Sequence, residues 1–381
     1  MNVEIILLLM AIVTAWHMWR RRRLAASRVH GAIDAIVPAY NEELCLESAL
    51  RKLLLNPYIG RVICVNDGSK DGTQDVLESM SREWGDKLLA INQENTGKGG
   101  ALMNGIRRSN AKYVFLTDAD TDVPSDSAAL GYLLAEIEHG ADAVGGIPST
   151  CLEGAGLLPY IRASVKVPMI IMQRTFQQVL GGSPFLISGA CGLFRREVLL
   201  KHPFSDRTKV EDLDLTWTLV ANGYKVRQAY RCMVYSQEGN SLKEEWKRWR
   251  RWIVGYAVCM RLHKSLLLSR FGIFSMVPMV VTVFIGVVAY SIAWSRLIAV
   301  FGLPKGLMLA MFPLSWALIV SVIGGISAWH HRKPVFVPLA SLAIFYVFFA
   351  YAIWIVHGLK GLVTGREPPR DKPTRYVNVV D

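Results

Sequence analysis

Residues 111–120 read AKYVFLTDAD, a stretch in which an apolar run ends at two aspartates separated by one residue. Short apolar runs that stop at polar residues are typical of buried strands, and in an extended conformation Asp118 and Asp120 point to the same side. Both carboxylates could then face one cation. An Asx-turn that ends the strand explains an isolated pair of aspartates better, so the surrounding sequence has to decide between the two.

That stretch belongs to a longer alternation of strand-like and helix-like segments between residues 31 and 235. The alternation predicts βαβ units and therefore a Rossmann-like α/β domain with a mostly parallel sheet. Ligands of such sheets bind beyond the carboxyl ends of the strands. Three polar clusters follow predicted strands at that edge: PAYNEE at 38–43, NDGSKDGT at 66–73 and TDADTD at 117–122.

The composition predicts a membrane region in the last third of the chain. Of the 381 residues, 52% are hydrophobic, a high fraction for a protein without membrane segments. Three uncharged apolar stretches are each long enough to cross about 30 Å of hydrocarbon as a helix, which predicts three transmembrane helices within residues 271–357. These stretches are Phe271–Ser295, Gly306–Trp329 and Val335–His357.

The N-terminus predicts an anchor and an orientation. Residues 1–19 are largely apolar and precede a basic linker at 20–30, which begins with RRRR. Positive charges after the apolar run favour an uncleaved anchor, with the following segment in the cytosol. We therefore expect an integral protein of the cell membrane with a cytosolic catalytic domain, in contact with the lipid bilayer.

A basic and aromatic segment joins the predicted sheet to the predicted spans. Within residues 236–270, LKEEWKRWRRWIVGY at 242–256 gives an aromatic stripe beside a cationic one, as in a helix lying in a membrane interface. The same arginines could clamp a diphosphate. Nucleic-acid binding is a third reading, which we set aside because the apolar spans follow at once. Residues 358–381 form a polar tail.

Two motifs near the predicted strand ends suit a nucleotide. Asp67 follows the second strand, where a carboxylate can accept a hydrogen bond from a uracil imide, although a common turn explains it equally well. TGKGGALMNG at 96–105 combines glycines, Lys98 and a helix N-terminus, which suits an anion. This segment lacks the spacing of a P-loop, which argues against an ATPase.

Two later motifs suit the transfer of a group to a hydroxyl. KVEDLDLTW at 209–217 places Glu211 and Asp212 ahead of a helical pattern, where one carboxylate could remove the proton of an attacking hydroxyl. Acidic capping of the helix is the simpler alternative. SGACGLFRRE at 188–197 supplies small residues that would let a sugar approach the backbone.

Taken in order, VPAYNEE, VNDGSKDGT, TGKGGALMNG, LTDADT, SGACGLFRRE, VEDLDLTW and WKRWRRWIVG resemble motifs of the membrane-embedded processive glycosyltransferases of family 2. That group includes the hyaluronan, chitin, cellulose and poly-N-acetylglucosamine synthases. The similarity covers about residues 33–255 together with the apolar stretches behind them. It implies a GT-A fold over residues 31–235, a UDP-sugar donor and a Mg²⁺ or Mn²⁺ ion.

The resemblance also implies roles for individual residues. Asp212 would be the general base of an inverting displacement, with Glu211 beside it, and Asp118 and Asp120 would hold the metal. Nucleotide and donor binding would fall to Pro38, Tyr40, Glu42, Asp67, Lys98, Asp118 and Asp120. The sugar and acceptor pocket would be lined by Gly189, Ala190, Cys191 and Trp252, and the diphosphate would be clamped by Arg248 and Arg251.

One departure from the family pattern bears on the product. The Q-x-x-R-W motif of the family maps to residues 248–252, where Arg248 replaces the glutamine. Elongation of a polysaccharide, coupled to its translocation, is the main hypothesis, with N-acetylglucosamine as the preferred sugar. Transfer of one sugar to a polyprenyl phosphate is the first alternative. A non-catalytic subunit that binds a nucleotide-sugar and regulates a partner subunit is the second.

Overall fold

The computed structural model describes residues 3–125, 128–278, 295–296, 299–300, 304 and 320–368, and these fall into two compact units. The first, called here the sheet unit, contains Arg23–Gly156 and Ser183–Glu245. The second, called the helical unit, contains Leu157–Gly182 together with the described parts of 1–22 and 246–368.

The sheet unit is built on one eight-stranded sheet with the order β3-β2-β1-β4-β7-β6-β8-β5. Strand β1 pairs in parallel with β2 and β4, β2 with β3, and β6 with β8, whereas β7 runs antiparallel to both of its neighbours and β5 antiparallel to β8. The predicted α/β fold is therefore confirmed, with a reversed strand in its middle. The strands are β1 Ile33–Ala39, β2 Ile59–Asp67, β3 Leu88–Gln93, β4 Tyr113–Leu116, β5 Thr121–Asp122, β6 Ala143–Thr150, β7 Gly192–Arg195 and β8 Val226–Ser236.

Helices connect the strands and make up the described part of the helical unit. The α-helices are α1 Val3–Arg21, α2 Leu46–Leu55, α3 Thr73–Trp84, α4 Gly97–Arg108, α5 Ala129–Glu138, α6 Leu157–Gly181, α7 Arg196–Lys201, α8 Glu211–Ala221, α9 Leu242–Leu262, α10 Phe336–Ser341, α11 Ile344–Ile353 and α12 Leu359–Thr364. Residues 320–331 are largely helical as well. Short 3₁₀ segments occur at Gly85–Lys87 and Lys264–Leu266, and π-helical turns at Gly272–Met276 and Trp354–Gly358.

Helices cover both faces of the sheet, and strand β1 shows why its sequence is continuously apolar. Ala35 and Val37 belong to one buried cluster with Leu50 of α2. Ile36 points to the opposite face and joins a second cluster with Leu102 of α4. Because successive side chains of a strand alternate between faces, a strand that is buried on both sides has no polar side to reveal.

The prediction of a transmembrane region and of an integral membrane location is wrong for the part of the chain that the structure describes. No helix there is both long enough and apolar enough to cross a bilayer. The stretches predicted at 271–295 and 306–329 lie mostly outside the described residues. The third, at 335–357, is divided among α10, α11 and the π-helical turn Trp354–Gly358.

The aromatic stripe of α9 packs within the helical unit. Trp246 and Trp249 lie against a buried cluster formed by Ile253 and Trp354, among others. The ring of Trp249 stacks on Tyr346 with 5.8 Å between the centroids. An apolar stripe at helical spacing marks a face that packs against other groups, and here part of it packs against other helices of the helical unit.

Candidate active site

Asp67 lies at the carboxyl end of β2, where neighbouring groups already hold its carboxylate in place. Its Oδ1 accepts hydrogen bonds from the side chain of Gln93 at 2.7 Å and from the backbone N–H of Thr96 at 2.8 Å. Thr96 precedes the first turn of α4, so the carboxylate stands beside the positive end of that helix. The following residue, Gly68, has φ +73° and lets the chain turn close to Asn95.

The loop after β1 is tied to the loop after β2. Asn41, at φ 54°, donates its backbone N–H to Ser69 and accepts a hydrogen bond from the N–H of Lys70. Glu42 is buried, and its N–H donates to Thr73 at 2.8 Å. Tyr40 between β1 and these residues is exposed. Pro38 lies within β1 opposite Val65 of β2, so this edge holds three of the predicted nucleotide-binding residues.

Lys98 brings two acidic segments together at the start of α4. Its ammonium group forms an ion pair with Oδ1 of Asp118, which follows β4. The same nitrogen lies 3.9 Å from Oε1 of Glu211, the first residue of α8. Three elements that are far apart in sequence therefore present one cation and two carboxylates at the same edge of the sheet.

Asp212 is oriented by the backbone. Its Oδ2 accepts the N–H of Gly189 at 3.0 Å, and its Oδ1 accepts the N–H of Leu213 at 2.9 Å. A Cβ at Gly189 would lie 2.9 Å from the ammonium nitrogen of Lys98, so a side chain at this position would displace that group. Each carboxylate oxygen has a further lone pair, so an oriented Asp212 can still accept a proton.

Asp120 lies two residues beyond Asp118 and is buried. Its Oδ1 accepts a hydrogen bond from the hydroxyl of Thr121 at 3.3 Å, and its carbonyl accepts the N–H of Gln237 at 3.3 Å. Asp118 is more open, with a third of its side chain exposed. The pair therefore combines an accessible carboxylate, that of Asp118, with a buried and hydrogen-bonded one, that of Asp120.

A small pocket of the sheet unit is lined by Lys98, Gly189, Glu211 and Asp212 among the predicted site residues. Its polar rim contains Lys98, Gly189 and Asp212. Its floor is apolar, because it reaches the buried cluster between α4, α8 and the sheet. The lining residues are Lys98, Leu102, Leu116, Ile187, Ser188, Gly189, Phe194, Phe204, Glu211, Asp212 and Leu215.

Two further predicted site residues, Ala190 and Cys191, are not among the lining residues of this pocket. The side chain of Cys191 is buried with its Sγ 3.7 Å from that of Cys232, and that contact together with burial raises the pKa of the Cys232 thiol. Ala190 is fixed by its carbonyl, which accepts a hydrogen bond from the hydroxyl of Thr117 at 3.0 Å.

The predicted arginines and tryptophan of the site belong to α9 in the helical unit. The guanidinium carbons of Arg162 and Arg248 lie 5.0 Å and 5.3 Å from the ring centroid of Trp252. Cations on its ring make Trp252 part of a mixed basic and aromatic group. The roles predicted for Arg248 and Arg251 as a diphosphate clamp, and for Trp252 as a stacking platform, stay predictions.

Sequence reasoning missed two residues that support the site, Gln93 and Arg207. Gln93 orients Asp67, and its position at the carboxyl end of β3, the edge where ligands of such sheets bind, is a signal that could have identified it. Arg207 donates two hydrogen bonds, of 2.9 Å and 2.7 Å, to the buried Asp214, two residues after Asp212. No sequence motif indicates the role of Arg207, because that role depends on a contact between a loop and the helix that follows it.

Comparisons with known proteins identify the class of this fold and site. The sequence model for glycosyl transferase family 2 matches residues 34–202. The chain is 63% identical over 366 residues to a protein of Escherichia coli (strain K12) described as the uncharacterized glycosyltransferase YaiP, and the match covers 96% of this chain and 92% of that one. Fold, site and relatives together define an α/β glycosyltransferase of the GT-A type. The chain belongs to glycosyltransferase family 2.

Two more distant proteins are also similar. Over 227 residues the chain is 29% identical to the poly-β-1,6-N-acetyl-D-glucosamine synthase of Staphylococcus aureus (strain COL), a match that spans 58% of this chain and 54% of the synthase. A mannosyltransferase from Pyrobaculum calidifontis, solved in complex with GDP-Man and Mn²⁺, shares the fold with a TM-score of 0.56 and 16% identity. That structural match covers 88% of this chain and 96% of the mannosyltransferase.

Proposed function

We propose that this glycosyltransferase moves a sugar from a UDP-sugar to a hydroxyl group of a carbohydrate acceptor, with inversion at the anomeric carbon. One observation carries the proposal: the pocket beside the sheet edge joins Lys98, Glu211 and Asp212, and the ammonium of Lys98 also binds Asp118. A cation suited to phosphates and a carboxylate suited to a hydroxyl proton thus lie at one place, where ligands of α/β sheets bind.

The proposal includes a divalent cation, Mg²⁺ or Mn²⁺, held by Asp118 and Asp120. In the described part of the chain no cluster of three or more His, Cys, Asp or Glu side chains could hold a metal. Two carboxylates fit a hard cation that takes its remaining ligands from phosphates and water. When bound, such an ion stabilises the negative charge that develops on the departing UDP.

The residues of the chain would divide the remaining work. Asp67 would accept a hydrogen bond from the uracil ring. The acceptor oxygen would attack the anomeric carbon as the bond from that carbon to UDP breaks, and Asp212 would take the hydroxyl proton. The hydrogen bonds from Gly189 and Leu213 support this role, because they hold the carboxylate in one orientation before the acceptor arrives.

We propose UDP-N-acetylglucosamine as the preferred donor. The similarity to a synthase of poly-N-acetylglucosamine supports this choice, although it covers about half of that protein. A growing polysaccharide is the acceptor that the same similarity favours. A polyprenyl phosphate, which would receive a single sugar, is the alternative that the altered Q-x-x-R-W motif keeps open.

The proposal is tested by the size of the labelled product. Purified full-length protein is incubated with radiolabelled UDP-N-acetylglucosamine, UDP-glucose or UDP-glucuronate, with Mn²⁺ or Mg²⁺, and with an oligosaccharide or a polyprenyl phosphate as acceptor. We expect a labelled oligosaccharide or polymer from UDP-N-acetylglucosamine, and none from the Asp212→Asn variant. A discrete lipid-extractable product would show that a polyprenyl phosphate is the acceptor, and the absence of labelled product from every UDP-sugar would overturn the UDP-sugar assignment.

A further inference from the structure

We infer that Lys98 and the divalent cation compete for the carboxylate of Asp118, so that Lys98 keeps the metal out until a nucleotide brings its diphosphate. The inference rests on the proposed metal site at Asp118 and Asp120 and adds an order to it. Lys98 would then act as a positioning residue that makes binding of the metal and binding of the nucleotide depend on each other.

The starting point is the position of the Lys98 ammonium group. It is paired with Oδ1 of Asp118, the more accessible of the two carboxylates assigned to the metal. The Lys98 side chain is only 15% exposed, whereas that of Asp118 is 33% exposed. A metal ion arriving from solvent can reach Asp118, but it meets a carboxylate whose charge is already neutralised.

A second carboxylate, that of Glu211, offers the ammonium group an alternative ion-pair partner. Oε1 of Glu211 lies 3.9 Å from the Lys98 nitrogen, and only 9% of the Glu211 side chain is exposed. Burying a carboxylate is costly without a cation beside it. A lysine that leaves Asp118 for Glu211 would therefore strengthen one ion pair while it releases the other.

The local structure permits this movement. Lys98 is the second residue of α4, so its backbone is fixed while its flexible four-carbon stem can turn. The absence of a side chain at Gly189 leaves the space, because a Cβ there would lie 2.9 Å from the ammonium nitrogen and 3.5 Å from Oδ2 of Asp212. The ammonium group can thus shift between carboxylates without a change in the fold.

Charge explains why the nucleotide would trigger the shift. A divalent cation alone has to displace a buried ammonium from Asp118. The diphosphate of UDP adds negative charge that can bind both the metal and the displaced lysine, so both cations are accommodated. Metal binding is expected to be weak without UDP and much tighter with it.

The test measures Mn²⁺ affinity from the electron paramagnetic resonance signal of free Mn²⁺, with and without UDP. The variant is Lys98→Met, which keeps the stem and removes the charge. A matched control is Lys52→Met, because Lys52 pairs at 2.7 Å with Asp122, two residues beyond Asp120. Removal of direct competition should tighten Mn²⁺ binding without nucleotide about tenfold in Lys98→Met, whereas loss of the more distant charge in Lys52→Met should change it less than about twofold.

A second substitution separates competition from a general change in charge. Glu211→Gln removes the alternative partner of Lys98, so it should weaken Mn²⁺ binding in the wild-type background and have little effect in Lys98→Met. Independent charges would instead give additive effects. Additive effects, or equal Mn²⁺ affinity in Lys98→Met and Lys52→Met, would overturn the inference. Failure of every protein to bind Mn²⁺, even with UDP, would overturn the metal site and the inference with it, while leaving sugar transfer to the product assay.

Discussion

The backbone N–H of Gly189 donates a hydrogen bond of 3.0 Å to Oδ2 of Asp212. This bond joins the small-residue loop before β7 to the first turn of α8, two segments that are separated by a strand and a short helix. It fixes one oxygen of the proposed base and places that base at the rim of the pocket that Lys98 also lines.

Asp212→Asn should abolish sugar transfer while UDP still binds. The amide is nearly the same size as the carboxylate but cannot take a proton, and loss of a general base costs about 10²–10⁴-fold in rate. The turnover number and the UDP affinity by calorimetry are the measurements. Asp206→Asn is the control, since Asp206 is an exposed aspartate shortly before the same helix. Equal turnover in wild type and Asp212→Asn would remove Asp212 as the base.

Gly189→Ala should lower activity through Lys98. The added Cβ would lie 2.9 Å from the Lys98 nitrogen and 3.5 Å from the Asp212 carboxylate, so the ammonium group has to move. We expect kcat/KM for the UDP-sugar to fall about tenfold or more, as for other small displacements of catalytic groups. Gly325→Ala is the control, because Gly325 lies in the helical stretch 320–331 with open space where its Cβ would be. A Gly189→Ala enzyme as active as that control would show that the close approach does not matter.

Much of the fold could be predicted because its signals are local. The alternation of strand-like and helix-like segments between residues 31 and 235 was enough to predict the α/β class, which the eight-stranded sheet confirms. The reversed direction of β7 could not be predicted, since an apolar run in a strand carries no direction. The membrane prediction failed at residues 335–357 because apolar composition does not set the length of a helix. This stretch is divided into α10, α11 and a π-helical turn, and none of these is long enough to cross a bilayer.

For the candidate site, too, some features could be predicted from the sequence and others could not. Asp67, Lys98 and Asp118 could be selected because strand ends and a glycine-rich helix start have sequence signatures. Their assembly could not, because the Lys98 ammonium meets Asp118 and Glu211 only after α4, β4 and α8 pack. The role of Arg207 could not be predicted either, because its contact with Asp214 forms only in the folded chain.

Arg207→Ala should destabilise the protein more than Arg51→Ala. Arg207 makes a bidentate pair with Asp214, whose side chain is 4% exposed, and its loss leaves a buried carboxylate with less compensation. We expect a loss of about 1–3 kcal/mol in unfolding free energy, reduced from the full cost of a buried charge because Arg207 itself is half exposed.

Arg51 is the matched case on the surface. It pairs with Glu47 and Glu83, whose side chains are about half exposed, and such pairs contribute about 0–1 kcal/mol. Urea unfolding followed by circular dichroism measures both variants. If the two variants lose the same stability, burial of Asp214 does not govern the strength of its pair.

The protein should lose stability as the pH falls from 7 towards 4, and His331 should account for part of the loss. Burial, with the nearby charges of His330, Lys166 and Lys333, lowers the pKa of His331 to about 4 from an ordinary value of 6.5. Below pH 6.5 the unfolded chain binds a proton at this position, but the folded chain does not. The free energy of unfolding therefore decreases until the pH reaches the folded-state pKa.

His331→Phe removes the titrating group, so Tm should depend less on pH between pH 7 and pH 5. His30→Phe is the comparison, because the His30 ring also packs edge-on against an aromatic ring, that of Tyr58. A Tm that falls as steeply in His331→Phe as in His30→Phe would show that other groups carry the pH dependence.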